Sequence, residues 1–106
     1  MPVEMTPSQI MMVAIRGERL LEQAIASKRI SQASLAIVHE TIVSLIKLYR
    51  DQVKGTSEFA TRIAREYARG VDPLAGAPRL DSLRSIYELA KEARARSLAA
   101  AGPKAE

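Results

Sequence analysis

Apolar residues recur along this chain at intervals of three and four positions, the spacing at which side chains share one face of an α-helix. The spacing predicts four helices, at about 7–27, 32–54, 57–69 and 82–100. No segment of the sequence alternates apolar and polar residues as a half-buried strand does. We therefore expect an all-α fold, a compact bundle of about four helices in one domain over residues 1–101, with a frayed tail at 102–106.

The helix boundaries rest on residues that cap or stop helices. The segment Thr6 to Gln9 reads Thr-Pro-Ser-Gln, which fits a capping box with Thr6 as N-cap and proline at the first helical position. Gly55 is placed to stop the second helix in a left-handed conformation. Further caps are expected at Ser31, at Thr56 or Ser57 and at Asp81, and a further stop at Gly70.

The junction between the first two helices has no such marker. Neither glycine nor proline occurs between residues 18 and 54, so the two helices are either separate or one long rod. Gly17 lies in the middle of the apolar face of the first helix. We expect its missing side chain to let another helix approach closely.

The composition excludes several kinds of catalytic and metal site. The 106 residues include no cysteine and one histidine, which leaves no thiolate nucleophile and no zinc site rich in cysteine or histidine. Glu18 and Glu22 share a face of the first helix, but we expect them to be solvated beside Arg19 instead of holding a metal. We therefore expect a protein that is not an enzyme and has no cofactor.

Charge and hydropathy bear on location and partners. The longest apolar run, Ile10 to Ile15, is far shorter than the ~20 residues that cross a bilayer, so we expect no membrane contact and a cytoplasmic location. The net charge of +4 permits contact with nucleic acid without requiring it. Arginine outnumbers lysine by 11 to 5 and asparagine is absent, which suits a thermophilic or GC-rich source.

His39 is the one histidine of the chain. The segment from Leu35 to Val43 resembles the phosphoacceptor helix of sensor histidine kinases, in which an acidic residue follows the histidine, as Glu40 does here. The resemblance covers only this short segment, and it implies phosphotransfer through His39. The alternative is a half-buried structural histidine, which we favour because no charged orienting group or second ligand accompanies it.

Two surface features exceed what a monomeric bundle requires, and the first is apolar. Met11, Met12 and Ile15 fall outside the core face of the first helix, and Ile37 and Leu48 widen the apolar stripe of the second. Monomers seldom expose sizeable apolar patches. These residues therefore predict an assembly module that forms a homo-oligomer or docks on a helical protein partner. The alternative is that the fourth helix or the loop before it covers them.

The second feature is a set of arginines on the third helix and after it. They are Arg62, Arg65 and Arg69 on one face, with Arg79 and Arg84 as extensions. Guanidinium groups at this spacing can follow a phosphate backbone, or they can pair with acidic residues of another subunit. As an alternative function they predict a small structural protein that coats nucleic acid without sequence preference. The other interpretation is a solvated face shared with Glu58 and Glu66.

Overall fold

The structure is a computed structural model that describes residues 4–74 and 76–101, the side chains of 98–101 excepted. Its elements are α1 (Pro7–Ser27), α2 (Gln32–Lys47), a π-helical turn (Leu48–Gln52), α3 (Ser57–Gly70) and α4 (Leu80–Ala101). Within these residues the only extended pairing is an isolated bridge between Val71 and Pro78. The predicted all-α bundle of four helices is confirmed. The tail predicted at 102–106 lies outside the described residues.

α1 begins at the capping box that the sequence predicts. The Thr6 hydroxyl accepts a hydrogen bond from the Gln9 backbone N–H at 3.2 Å, and the Thr6 N–H donates to the Gln9 side chain at 2.9 Å. The helix ends where Lys28 takes a left-handed φ of 60°, which costs a residue with a side chain roughly 1–2 kcal/mol. Ser31 then caps α2 by accepting from the Ser34 N–H at 3.1 Å. The first two helices are therefore separate, and the single rod is wrong.

The second predicted helix is α-helical over a shorter stretch than expected. Its hydrogen bonding widens at Leu48 into the π-helical turn, and Gly55 beyond it has the expected left-handed φ, at 83°. The Thr56 hydroxyl lies 2.8 Å from the carbonyl oxygen of Tyr49 and 2.9 Å from that of Val53. Thr56 is also the N-cap residue of α3, but its side chain makes no capping hydrogen bond to that helix. Its hydroxyl is instead bonded to the carbonyl groups of Tyr49 and Val53 in the preceding turn.

α4 begins at Leu80, two residues earlier than expected. The cause is the Arg79 carbonyl, which accepts a hydrogen bond from the Leu83 N–H at 3.0 Å and so starts the helix. Asp81 therefore lies within the first turn and is not the N-cap, contrary to the prediction. Arg79 is itself fixed by its N–H, which donates to the Gly70 carbonyl at the end of α3 at 2.9 Å.

The four helices enclose one hydrophobic core. α1 packs against α2 and α4, and α3 packs against the same two helices, so every helix has two neighbours and keeps an outer face. The largest fully buried hydrophobic side chains come from every element. They are Leu21, Ile42, Leu45, Tyr49, Ile63, Leu83 and Ile86. Because the core is complete without the outer faces, apolar residues on an outer face need another explanation.

Gly17 lets α1 and α2 approach closely, as the sequence predicts. A Cβ atom at this position would lie 2.9 Å from Cδ2 of Leu45 on α2. Replacing Gly17 with leucine is therefore expected to lower the free energy of unfolding by about 1–3 kcal/mol through overpacking. Urea unfolding followed by circular dichroism measures the change, with Ala26→Leu on the exposed side of α1 as the matched control. A Gly17→Leu variant as stable as the wild type would contradict the close approach.

Candidate protein-docking surface

The first turns of α1 carry apolar side chains all round the helix. Six apolar residues follow one another from Ile10 to Ile15, and each position turns by about 100° from the last. Only some of these six side chains are buried in the core. Ala14 is buried, whereas Met11 is half-buried, Met12 is 70% exposed and Ile15 is 37% exposed. The structure thus leaves the three predicted interface residues of α1 accessible to a partner.

These side chains line a depression of about 690 Å³ along the outside of α1, which we call the outer face of α1. Its lining residues are Ser8, Met11, Met12, Val13, Ile15, Arg16 and Arg19. The face extends for about three turns of helix, or roughly 18 Å. Its centre is apolar and its C-terminal end is basic.

A second depression, of about 520 Å³, runs between α1 and α2. Val13 and Arg16 line it together with the outer face, so the two surfaces are continuous. Ile37 of α2 also lines it and is 51% exposed. The structure therefore brings this predicted interface residue of α2 next to those of α1.

Leu48 does not belong to this surface. Its side chain is 2% exposed and forms part of the core, so the prediction that it contacts a partner is wrong. Met5, from the segment before α1, packs against the same core and lines one depression with Leu48, and the Met5 N–H donates to the Gln52 side chain at 3.0 Å. The periodicity of α2 does not indicate which residues from outside the helix pack against it.

The outer face of α1 carries two positive charges and, among the described residues that line it, no carboxylate. Arg16 and Arg19 are exposed, and neither forms an ion pair in the described part of the chain. Arg16 follows Met12 by four positions and Arg19 follows Ile15 by four, so each arginine lies one turn beyond an exposed apolar residue. Neither arginine was predicted as an interface residue, although the same spacing places both beside the predicted ones.

The acidic residues of α1 point towards α4. Glu18 is 7% exposed, and its Oε2 accepts a hydrogen bond from Arg94 Nε at 2.6 Å. Glu22 Oε2 accepts from the Tyr87 hydroxyl at 2.8 Å. The expectation that Glu18 is solvated beside Arg19 is therefore wrong, because the last helix supplies a charged partner 76 residues later.

These contacts shift the pKa values of the groups from α4. The hydrogen bond to Glu18 raises the pKa of Arg94 above its ordinary value. The hydrogen bond to Glu22 raises the pKa of Tyr87 to about 12. Arginine is charged and tyrosine protonated at neutral pH even at their ordinary pKa values, so these upward shifts leave both states unchanged there.

The arginine row on α3 is only partly free. Arg62 and Arg65 are exposed, and neither has an ion pair within the described residues. Arg69 pairs with Glu66, its Nη2 lying 2.9 Å from Oε1. The row can therefore present two guanidinium groups without breaking an existing ion pair, and a third only by taking Arg69 from Glu66.

The two proposed extensions of the row differ in their positions. Arg79 lies beside the end of α3, because its backbone N–H is bonded to the Gly70 carbonyl. Arg84 lies one turn into α4 and is within 3.7 Å of the Asp81 carboxylate. Arg79 is therefore held next to the arginine row by its backbone hydrogen bond. Arg84 instead lies close to a carboxylate, that of Asp81.

His39 is on α2, and its Nδ1 is 2.7 Å from the hydroxyl of Tyr67 on α3, with the ring centroids 5.7 Å apart. His39 is exposed and not half-buried as expected, but it has the structural hydrogen-bond partner that this interpretation implies. Among the described residues, no hydrogen bond or ion pair joins His39 to a carboxylate. An orienting group of that kind is what phosphotransfer or acid–base chemistry would use.

Metal sites and membrane spans were sought in the same residues. The described part of the chain contains no group of three or more histidine, aspartate or glutamate side chains that could hold a metal ion. None of its described helices is long and apolar enough to cross a bilayer. The outer face of α1 therefore stands out among the described features because it combines exposed apolar groups with unpaired charges.

Comparisons with protein-family models, with curated proteins and with solved structures found no match to this chain. Its function is therefore inferred from the surfaces described above.

Proposed function

We propose that this chain is a non-enzymatic protein-interaction module whose outer face of α1 docks an α-helix of another protein molecule. The exposure of Met12 carries the proposal, because 70% of this large apolar side chain faces solvent within a depression that Met11 and Ile15 also line. Methionine is flexible and polarizable, which suits a surface that adapts to a partner. A helix fits because the depression runs along α1 for about three turns.

The energy available from this surface matches a reversible complex. Fully burying a large apolar side chain contributes about 1.5–3 kcal/mol, and Met12, Ile15 and Ile37 are each partly buried already. Covering the three therefore contributes on the order of 3–5 kcal/mol. Association costs at least ~4 kcal/mol in lost freedom. The partner must add contacts of its own, and the complex should not be obligate.

Changing Met12 and Ile15 together to glutamate is expected to weaken helix binding by about tenfold or more, because the centre of the surface would then bury charge. Helical peptides selected on the wild-type protein from a display library provide the probe, and fluorescence anisotropy gives their dissociation constants. Thr61→Glu with Ala68→Glu, on the exposed side of α3, is the matched control. Selected peptides that bind the Met12 and Ile15 variant as tightly as the wild type would refute the docking surface.

A second candidate function is sequence-nonspecific binding of nucleic acid through the arginine row. It is favoured by the free guanidinium groups of Arg62 and Arg65 and by the position of Arg79 beside the end of α3. It is opposed by Glu66, which already holds Arg69. The observations therefore favour it less than the docking function.

If the row does contact phosphates, the affinity for random duplex DNA should fall with salt at a log–log slope of about −0.9 per phosphate, or roughly −3 for Arg62, Arg65 and Arg69. Replacing all three with glutamine should flatten the slope and preserve the helical content, because glutamine is nearly as good a helix former. Filter binding over a salt series measures the slope. Negligible binding at low salt would eliminate this candidate and leave the docking function untouched.

A further inference from the structure

The charges around the outer face of α1 restrict which helix can dock there. Arg16 and Arg19 line the outer face beside its apolar centre, and no described carboxylate lines that face with them. Glu40 lines the adjoining depression between α1 and α2 together with Arg16, but forms no ion pair with it. The two acidic residues of the same stretch of α1, Glu18 and Glu22, accept hydrogen bonds from Arg94 and Tyr87 of α4. A partner that covers Met12 therefore brings its own side chains close to two cations that form no ion pair in the described part of the chain.

A second copy of this chain fits that arrangement poorly. In a two-fold dimer the same patch meets itself. Pairing two outer faces with the α1 helices parallel gathers four guanidinium groups at one end, and pairing them antiparallel places Arg16 and Arg19 of each copy opposite the Ser8 end of the other, where no carboxylate lines the described face. A second copy therefore offers these arginines no complementary charge on this face. The geometry thus argues against self-association through this face.

Given the docking function proposed above, we infer that the partner is an acidic amphipathic helix. Its apolar stripe covers Met12 and Ile15, and aspartate or glutamate residues flanking the stripe meet Arg16 and Arg19. About three turns of helix span the face. Carboxylates suit these positions because they accept two parallel hydrogen bonds from a guanidinium group, which fixes the orientation of the docked helix. The same charges speed the encounter at low salt.

The probe is a set of three synthetic helical peptides of 14 residues with an identical leucine and methionine stripe. The positions flanking the stripe are glutamate in the first, glutamine in the second and lysine in the third. Fluorescence anisotropy at about 50 mM salt, where screening is weak, gives the three dissociation constants. The glutamate peptide is expected to bind about tenfold more tightly than the lysine peptide, with the glutamine peptide between them.

Reversing the charges on the protein should reverse this order. The variant Arg16→Glu with Arg19→Glu is expected to prefer the lysine peptide, while its far-UV circular dichroism matches the wild type. Arg65→Glu with Lys54→Glu makes the same change of net charge away from the face, at two exposed positions, and should keep the wild-type order. An effect of net charge alone would move both variants equally, and that result would overturn the inference.

The remaining outcomes separate this inference from the docking function. If all three peptides bind with one affinity and Met12→Glu abolishes their binding, the surface docks helices but the acidic partner is wrong. If no peptide binds at about 200 μM, well above typical weak dissociation constants, the acidic partner is also wrong. The docking function then depends on the selected peptides described earlier. A wild-type dimer that dissociates on Met12→Glu substitution, detected by light scattering at about 100 μM, would identify a second copy as the occupant instead.

Discussion

Replacing Ile42 with alanine is expected to lower the free energy of unfolding by about 3–4 kcal/mol. Ile42 is fully buried, at 0% exposure, on the helix that packs against both α1 and α3. Removing three of its carbons loses their transfer free energy and leaves a cavity that the close-packed neighbours cannot fill. A domain of this size has only about 5–15 kcal/mol of stability. The substitution should therefore remove a large part of it.

Urea unfolding gives this change directly, and the thermal midpoint should fall by roughly 12–32 °C at about 4–8 °C per kcal/mol. Ile37→Ala is the matched control, since it is the same substitution on the same helix at a side chain that is 51% exposed. Its expected cost is about 0.5–1 kcal/mol, because much of the side chain already faces solvent. Equal losses of stability for Ile42→Ala and Ile37→Ala would show that α2 does not bury Ile42 and expose Ile37 as described.

Replacing Arg94 with methionine is expected to cost about 2–3 kcal/mol of stability. The substitution leaves the Glu18 carboxylate between α1 and α4 without its partner, and an unpaired buried charge is strongly destabilising. The expected loss is at the low end for such pairs because the Arg94 side chain is 31% exposed. Urea unfolding at neutral pH measures it.

Two further variants test whether the loss of stability in Arg94→Met comes from breaking the Glu18–Arg94 ion pair. Arg84→Met removes an arginine from the same helix whose ion pair with Asp81 is exposed and 3.7 Å long, so its loss should be under about 0.5 kcal/mol. Combining Arg94→Met with Glu18→Leu should recover most of the stability, because two apolar residues can replace a buried pair at little cost. A double variant no more stable than Arg94→Met alone would assign the loss to packing by the arginine stem instead.

The parts of this fold that the sequence predicts well are those set by neighbouring residues. The start of α1 depends on Thr6 and Gln9, which lie three residues apart, and the start of α2 depends on Ser31 in the same way. The close approach of α2 at Gly17 is likewise predictable, because a glycine lies in the middle of the apolar face of α1. Such features need no knowledge of the rest of the chain.

The errors occurred where a distant segment decides the outcome. α4 starts early because the Arg79 backbone is bonded to the end of α3. Leu48 belongs to the hydrophobic core, against which Met5 from the segment before α1 also packs. Helical periodicity gives the angle of a side chain around its own helix, but it does not say which other element lies at that angle.

The candidate site shows the same division. Met12 and Ile15 were predicted as interface residues because the apolar run wraps around α1, a property of six adjacent residues. The positive character of the face was not predicted. It depends on the ion pair between Glu18 and Arg94. The sequence of α1 alone does not distinguish Glu18 from a solvated glutamate.

The Glu18–Arg94 pair also sets an order of events during synthesis. Glu18 leaves the ribosome 76 residues ahead of Arg94, which at about 5–20 residues per second is a delay of roughly 4–15 s. For that interval α1 carries a carboxylate facing the place that α4 will occupy, and burying this side of α1 before α4 is present would leave the carboxylate without its cation. The nascent bundle should therefore stay open on that side until the last helix arrives.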